Sequence, residues 1–348
     1  MVQASLGTSK TTDIVKWWSG KKLQALAATG NLTDLTPVWD KAVAKGWLDD
    51  GLRASYTYQG KVWGLPIYQS YWVVFYNKSL FAKYNLTVPT TYAQFTADAA
   101  TLKQNGVDAI WTGQADGWPS FIPYQTLVAG QSPAFYNELT SGKASFTDPV
   151  SQNAMKLWQT WITSGWTTPA DSKLGDAPAL MKAGKVAMLP IGTWENGSLK
   201  SAGMTPGTDY DAFLMPTVTP GVQPSVFIEG GAWTIPKRAP DHAAAVEQLS
   251  NWLDPTVQGV WSSFLGDTSP DPKVPITDPV LQSVHSQLTT IKPTLLNRYY
   301  ESLPSNLVES SISALDGFMV HPETGSSVLA AIQASAVTEW ADFNKSTG

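Results

Sequence analysis

The chain has 348 residues, enough for two domains or one large one with well-filled cores. Charged side chains make up 15% and the net charge is −5; no basic stripe runs along the chain, so nucleic acid is excluded as an expected partner. There is no cysteine, and the three histidines (His242, His285, His321) lie far apart, which excludes disulfides, thiolate chemistry and a histidine-rich metal centre.

The apolar runs are short, and none spans a membrane. The opening Met1-Val2-Gln3 leads straight into polar sequence without a signal segment, so the expectation is a cytoplasmic protein or an exported one whose signal is removed. Residues 22–30 (KLQALAATG) read as a helix closed by a glycine. Residues 61–76 hold β-branched and aromatic strand runs, broken by Gly64-Leu65-Pro66. Residues 91–105 have helical spacing and stop at Gly106, and 109–111 form a short buried strand. Residues 150–164 form an amphipathic helix with Met155, Trp158 and Ile162 on one face. A helix at 176–183 precedes a strand at 186–191. Residues 225–236 read as strand, kink, strand, and helices follow at 240–254 and 326–344. Strands alternating with helices make the fold class α/β.

Indole is large and hard to bury completely, so a surplus of 16 tryptophans means a big core, an interface or a ligand platform. Aromatics cluster beside glycines and hydrogen-bonding side chains: Trp17-Trp18, Tyr71-Trp72, Gly117-Trp118, Trp194-Glu195, the run Glu229-Gly230-Gly231-Ala232-Trp233, and Arg298-Tyr299-Tyr300. Flat rings suit the apolar C–H faces of a pyranose. Acids, amides and arginine suit its hydroxyls, which must be paired once buried. These residues point to a sugar-binding surface. In the stretch 61–78, residues 68–72 are expected to be wall and 73–76 core.

Stretches in chain order strengthen this. DIVKWWSG at 13–20, KVWGLPIYQSYWVVFYNKSLF at 61–81, PTTYAQF at 89–95, LTSGKASFTD at 139–148, MKAGKVAMLPIGTW at 181–194 and IEGGAWTIPK at 228–237 together cover almost the whole chain. In this combination the sequence resembles the extracellular solute-binding proteins of ATP-binding-cassette sugar importers, the group that includes maltose- and oligosaccharide-binding proteins. The resemblance implies a periplasmic-binding-protein-like fold of type II, with two α/β lobes joined by a three-segment hinge. It puts residues 1–112 with 232–292 in one lobe and 113–231 with 293–348 in the other. Crossings are then expected near 111–118, 227–233 and 291–299. The family opens with a further strand–helix–strand unit before the strand at 13, so the resemblance leads to the expectation that this first βαβ unit is missing here.

The resemblance also implies a carbohydrate ligand held between the lobes, with the permease subunits of an importer as the protein partner. It implies a monomer, free in the periplasm or lipid-anchored at the cell surface, with no cofactor, no metal and no catalytic residues. The expected ligand-binding residues are Trp17, Trp18, Tyr68, Gln69, Tyr71, Trp72, Asp116, Trp118, Trp194, Glu195, Glu229, Gly230, Gly231, Trp233, Arg298 and Tyr299. Trp233 suits cleft or core, and Trp261 is expected to pack a helix. Two other classes share these aromatics. A glycoside hydrolase needs two carboxylates about 5–10 Å apart, for which Glu195 and Glu229 are the candidates. A carbohydrate-recognising adhesion module would not close around its ligand.

Overall fold

The computed structural model describes residues 6–8 and 10–348. Ten strands can be numbered in chain order: β1 (Val15–Trp17), β2 (Thr57–Tyr58), β3 (Lys61–Val62), β4 (Ser70–Asn77), β5 (Asp108–Ile110), β6 (Val186–Gly192), β7 (Tyr210–Phe213), β8 (Ser225–Glu229), β9 (Ala232–Thr234) and β10 (Thr294–Asn297). The main sheet runs in the order β10-β8-β4-β6-β5, and β7 also pairs with β4. β4 is the longest strand and pairs in succession: Ser70 and Tyr71 face β8, residues 72–76 face β6, and residues 74–77 face β7. Strand β4 runs antiparallel to β6 and to β8, whereas β5 is parallel to β6 and β10 to β8. The carboxyl ends of β5, β6, β8 and β10 therefore lie on one edge. In open α/β sheets that edge is where ligands sit.

The helices follow local chemistry. Residues Tyr92–Gln104 start at Thr91, whose hydroxyl accepts from the Gln94 N–H while the Gln94 side chain accepts from the Thr91 N–H, a capping box. Asp148, Asp254 and Asp278 each cap a helix that begins with proline. The helix Gly20–Ala28 lies where residues 22–30 suggest one, and Gly325–Thr347 where 326–344 do. The helix Phe121–Gln131 is buried on nearly every face, so its sequence has no amphipathic period to reveal it.

Buried apolar side chains form two clusters. The larger packs both faces of the main sheet and draws on residues 72–227 and 280–336. The smaller surrounds the β1–β9 ribbon, with Leu23, Leu26, Trp39, Leu65, Ile235 and Leu249 among its members, and draws on residues 6–65 and 232–253. The chain thus passes between cores at 65–72, at 227–232 and between 253 and 280. Residues 72–111 contribute to the larger core. The reason is β4, which zips this whole segment onto β6, β7 and β8. Val73, Val74 and Phe75 are buried, as befits the core half of the 61–78 stretch.

Candidate ligand-binding cleft

Four of the aromatic and charged clusters meet at the carboxyl edge of the main sheet. Trp118 lies in the loop after β5, Trp194 just after β6, Glu229 at the last position of β8, and Arg298 directly after β10. Trp18 follows β1 of the smaller core. With Tyr300 these residues line a cleft of about 240 Å³. The rings form a continuous wall. Trp118 is 6.4 Å from Trp194 and 6.0 Å from Phe121 between centroids, and Phe121 is 6.2 Å from Tyr300. Trp18 lies 6.0 Å from Tyr300 and joins the wall from the opposite core.

Glu229 sits at the centre of a bonded network. Its Oε1 accepts from the Tyr68 hydroxyl at 2.8 Å, and its Oε2 accepts from the indole N–H of Trp72 and of Trp194, each at 3.2 Å. Arg298 Nη1 lies 2.9 Å from Oε2. Arg298 also donates through Nε to Glu301 Oε2 at 2.8 Å and through Nη2 to Glu301 Oε1. The guanidinium is buried and lies 5.2 Å from the Trp72 ring centre. Burial alone would lower the Arg298 pKa; the adjacent Glu229 and Glu301 carboxylates override it and raise the pKa. Burial beside Glu229 also pushes the Tyr68 hydroxyl well up, so it stays protonated and donates.

Lys22 lies at the edge of this wall. Its ammonium is 3.5 Å from the Tyr300 ring centre and 4.8 Å from that of Trp18, within cation–π reach. Burial lowers its pKa to about 8, with Glu301 opposing the shift.

The remaining candidate residues lie elsewhere. Trp72 is buried behind the wall and supports Glu229 through its N–H. Trp17 turns its indole N–H to the Lys22 carbonyl at 3.0 Å and packs on the smaller core. Asp116 is exposed and accepts from the Leu174 N–H at 2.6 Å. Glu195 is buried in the first turn of its helix, away from the cleft, and burial pushes its carboxyl up to about 7. Trp233 packs edge-on against Trp252 beside the smaller core. Tyr299 is fully buried, stacked on Phe121 and edge-on to Tyr124 and Phe146. Gln69 and Tyr71 line a different cavity. Gly230 sits at a close approach: a Cβ there would meet the Tyr56 hydroxyl at 2.3 Å and the Tyr68 carbonyl at 2.9 Å. Gly231 adopts φ +58°, the left-handed region that glycine tolerates. Both glycines shape the backbone beside Glu229.

Sequence reasoning passed over Tyr300, Lys22 and Glu301. Tyr300 is the second member of a noted doublet. Successive residues of a helix point about 100° apart, so one ring of such a pair enters the core while the next faces out. The doublet signals a site without saying which member serves it. Lys22 reads in sequence as an ordinary solvated helix lysine.

Comparison with known proteins places the chain. Residues 1–258 match the model of the bacterial extracellular solute-binding protein family, and the chain belongs to that family. It is 24% identical over 305 residues to an uncharacterized ABC transporter extracellular-binding protein of Pyrococcus horikoshii, with 85% of this chain and 68% of that protein covered. It is 23% identical over 295 residues to a maltodextrin-binding protein of Bacillus subtilis, covering 82% and 65%. The chain therefore spans about two thirds of the length of these curated relatives. Among solved structures, a chitin oligosaccharide binding protein superposes with a TM-score of 0.85 at 18% identity, covering 98% of this chain and 87% of that one. Maltose-bound MalE3 of T. maritima gives 0.75 at 16% identity, covering 96% and 86%. At these identities the superpositions establish the fold, which is that of two-lobed α/β solute-binding proteins. Among the described residues, no helix is long and apolar enough to cross a membrane.

Proposed function

We propose that the chain is the substrate-binding component of an ABC importer and captures a sugar or oligosaccharide in the cleft between its two cores. The observation that carries this reading is the ring wall of Trp18, Trp118, Trp194 and Tyr300 around the Glu229–Arg298 pair. Rings cover the apolar faces of a pyranose, and the charged pair meets hydroxyls with charge-assisted hydrogen bonds. Curated relatives named for maltodextrin and glucose binding, and a superposable chitin oligosaccharide binding protein, support the same ligand class. On this reading Trp18, Trp118, Trp194, Glu229, Arg298 and Tyr300 contact ligand, while Tyr68 and Trp72 hold Glu229 in place. The protein works outside the cytoplasm as a monomer, free or lipid-anchored, and passes its sugar to permease subunits.

A hydrolytic role has little support. Glu229 is engaged by four donors, and Glu195 is buried away from the cleft, so neither carboxylate is free to act as acid or base on a bound glycoside. Thermal-shift screening against a carbohydrate panel tests the reading. A ligand at 100 times its Kd should stabilise the fold by about 2.7 kcal/mol. The shift should vanish in a Trp118→Ala/Trp194→Ala double variant. A panel without a single responder, or release of reducing sugar that stops in Glu229→Gln, would overturn it.

A further inference from the structure

Side chains alternate on either side of an extended chain, and residues 68–72 put this to use. Tyr68 and Trp72 bond Glu229 at the cleft. Gln69 and Tyr71 instead line a second cavity, of about 230 Å³, that shares no residue with the first. Leu52 of the smaller core, Val284 of the larger core and the buried Leu281 line it together. Asp271, on the loop after Asp267, completes the wall.

Two polar side chains here have more hydrogen-bonding capacity than the protein satisfies. Gln69 is 5% exposed and its amide Nε2 has no protein partner; Asp271 is 1% exposed and its Oδ2 has none. The other carboxylate oxygen, Oδ1, accepts from the Lys273 N–H at 2.7 Å, which fixes the side chain in position. A buried donor and a buried acceptor left unpaired oppose folding; both atoms are closed off from the open space of the cavity, so a ligand that pairs with them draws the two side chains toward it. The cavity exceeds the ~30 Å³ share of one water several-fold.

We propose that this cavity is a second small-molecule site that takes a compact neutral polyol, between glycerol and a single sugar ring in size. The chemistry selects that class. An ammonium brings donors only and would leave the Gln69 N–H unmet. A carboxylate brings acceptors only and would be set against Asp271. A hydroxyl accepts from Gln69 and donates to Asp271, and the C–H groups of a polyol fit against Leu281 and Val284. The site is independent of what the cleft binds.

Xylitol is the probe. It is titrated into ¹⁵N-labelled protein while the Gln69 side-chain amide resonance, assigned by its loss in Gln69→Leu, is followed. The expected result is a saturable shift that persists in Trp194→Ala, where the cleft is impaired, and disappears in Asp271→Leu. A shift that vanishes in Trp194→Ala, or no shift at all, overturns the proposal. Should Asp271→Leu fail to fold, crystals of the unmodified protein soaked in xylitol decide: polyol density between Gln69 and Asp271 supports the site, and ordered water alone, or an adventitious additive only, refutes it. Because the cleft reading rests on carbohydrate binding that Trp118 and Trp194 control, either idea can fail while the other stands.

Discussion

The two sides of the cleft are built by different rules. The larger core contributes Trp118, Trp194, Glu229, Arg298 and Tyr300 from one edge of a six-stranded sheet, and Glu229 and Arg298 there are held by several partners each. The smaller core contributes Trp18, 38% exposed at the end of a two-stranded ribbon, and Lys22, whose ammonium rests on rings. One side is a preorganised platform in which orientation is fixed before any ligand arrives. The other is a lightly braced cover. The contrast teaches that one cleft can divide its work, with bonding geometry set by the sheet and extra apolar contact supplied from across the gap.

That contrast can be broken most severely at Arg298. Arg298→Met takes the ion-pair partner from the mostly buried Glu229 and the buried Glu301 carboxylates, and urea denaturation should register a loss of about 3–5 kcal/mol. A loss below 1 kcal/mol would mean the platform is not held by this network. Next comes Trp194→Ala, which removes a wall ring and one of the donors to Glu229. Calorimetry with the sugar identified by screening should give an affinity about 10–100-fold lower, and the melting temperature should fall as well. Trp18→Ala sharpens the comparison from the other side. Affinity should drop by a smaller factor while stability stays within about 0.5 kcal/mol of the parent, the usual range for an exposed side chain. Equal stability losses from Trp18→Ala and Trp194→Ala would erase the distinction.

The smallest expected effect concerns pH. Asp267 is buried where the passages between the cores meet; it accepts from Ser70, from Thr193 Oγ1 at 2.6 Å and from the Thr268 N–H at 2.8 Å. Burial pushes its carboxyl from 3.8 up to about 7, against the pull of those three donors. The folded protein therefore holds this proton more tightly than the unfolded chain. The contribution of Asp267 to stability is greatest below about pH 4 and is lost as pH rises through about 7. Melting curves across that window should show a shallower decline for Asp267→Asn than for the parent, with Glu195 and Asp98, shifted the same way, contributing to what remains.

The α/β character, the long helices and the sugar-type chemistry of the cleft were legible because they rest on local signals. Capping residues, glycine stops and aromatic doublets beside acids need no tertiary knowledge. The division into cores was not legible in this way, because β4 alternates too little to reveal three partner strands; six of its eight residues are buried. Glu195 and Tyr299 show a second limit. Each adjoins a residue of the cleft, and in a helical turn adjacency in sequence separates side chains in space. Lys22 shows a third: a lysine buried against two rings carries no local mark that sets it apart from a solvated one.

The crowding of indoles at one place has an optical consequence. Trp72, Trp118 and Trp194 lie in a chain with centroid spacings of 6.5 and 6.4 Å, and two of them hydrogen-bond the same carboxylate. Their excited states must feel one another and that charge, so whatever fills the gap will change emission and near-ultraviolet dichroism directly. The molecule carries its own unlabelled gauge of occupancy, readable against the background of its other tryptophans.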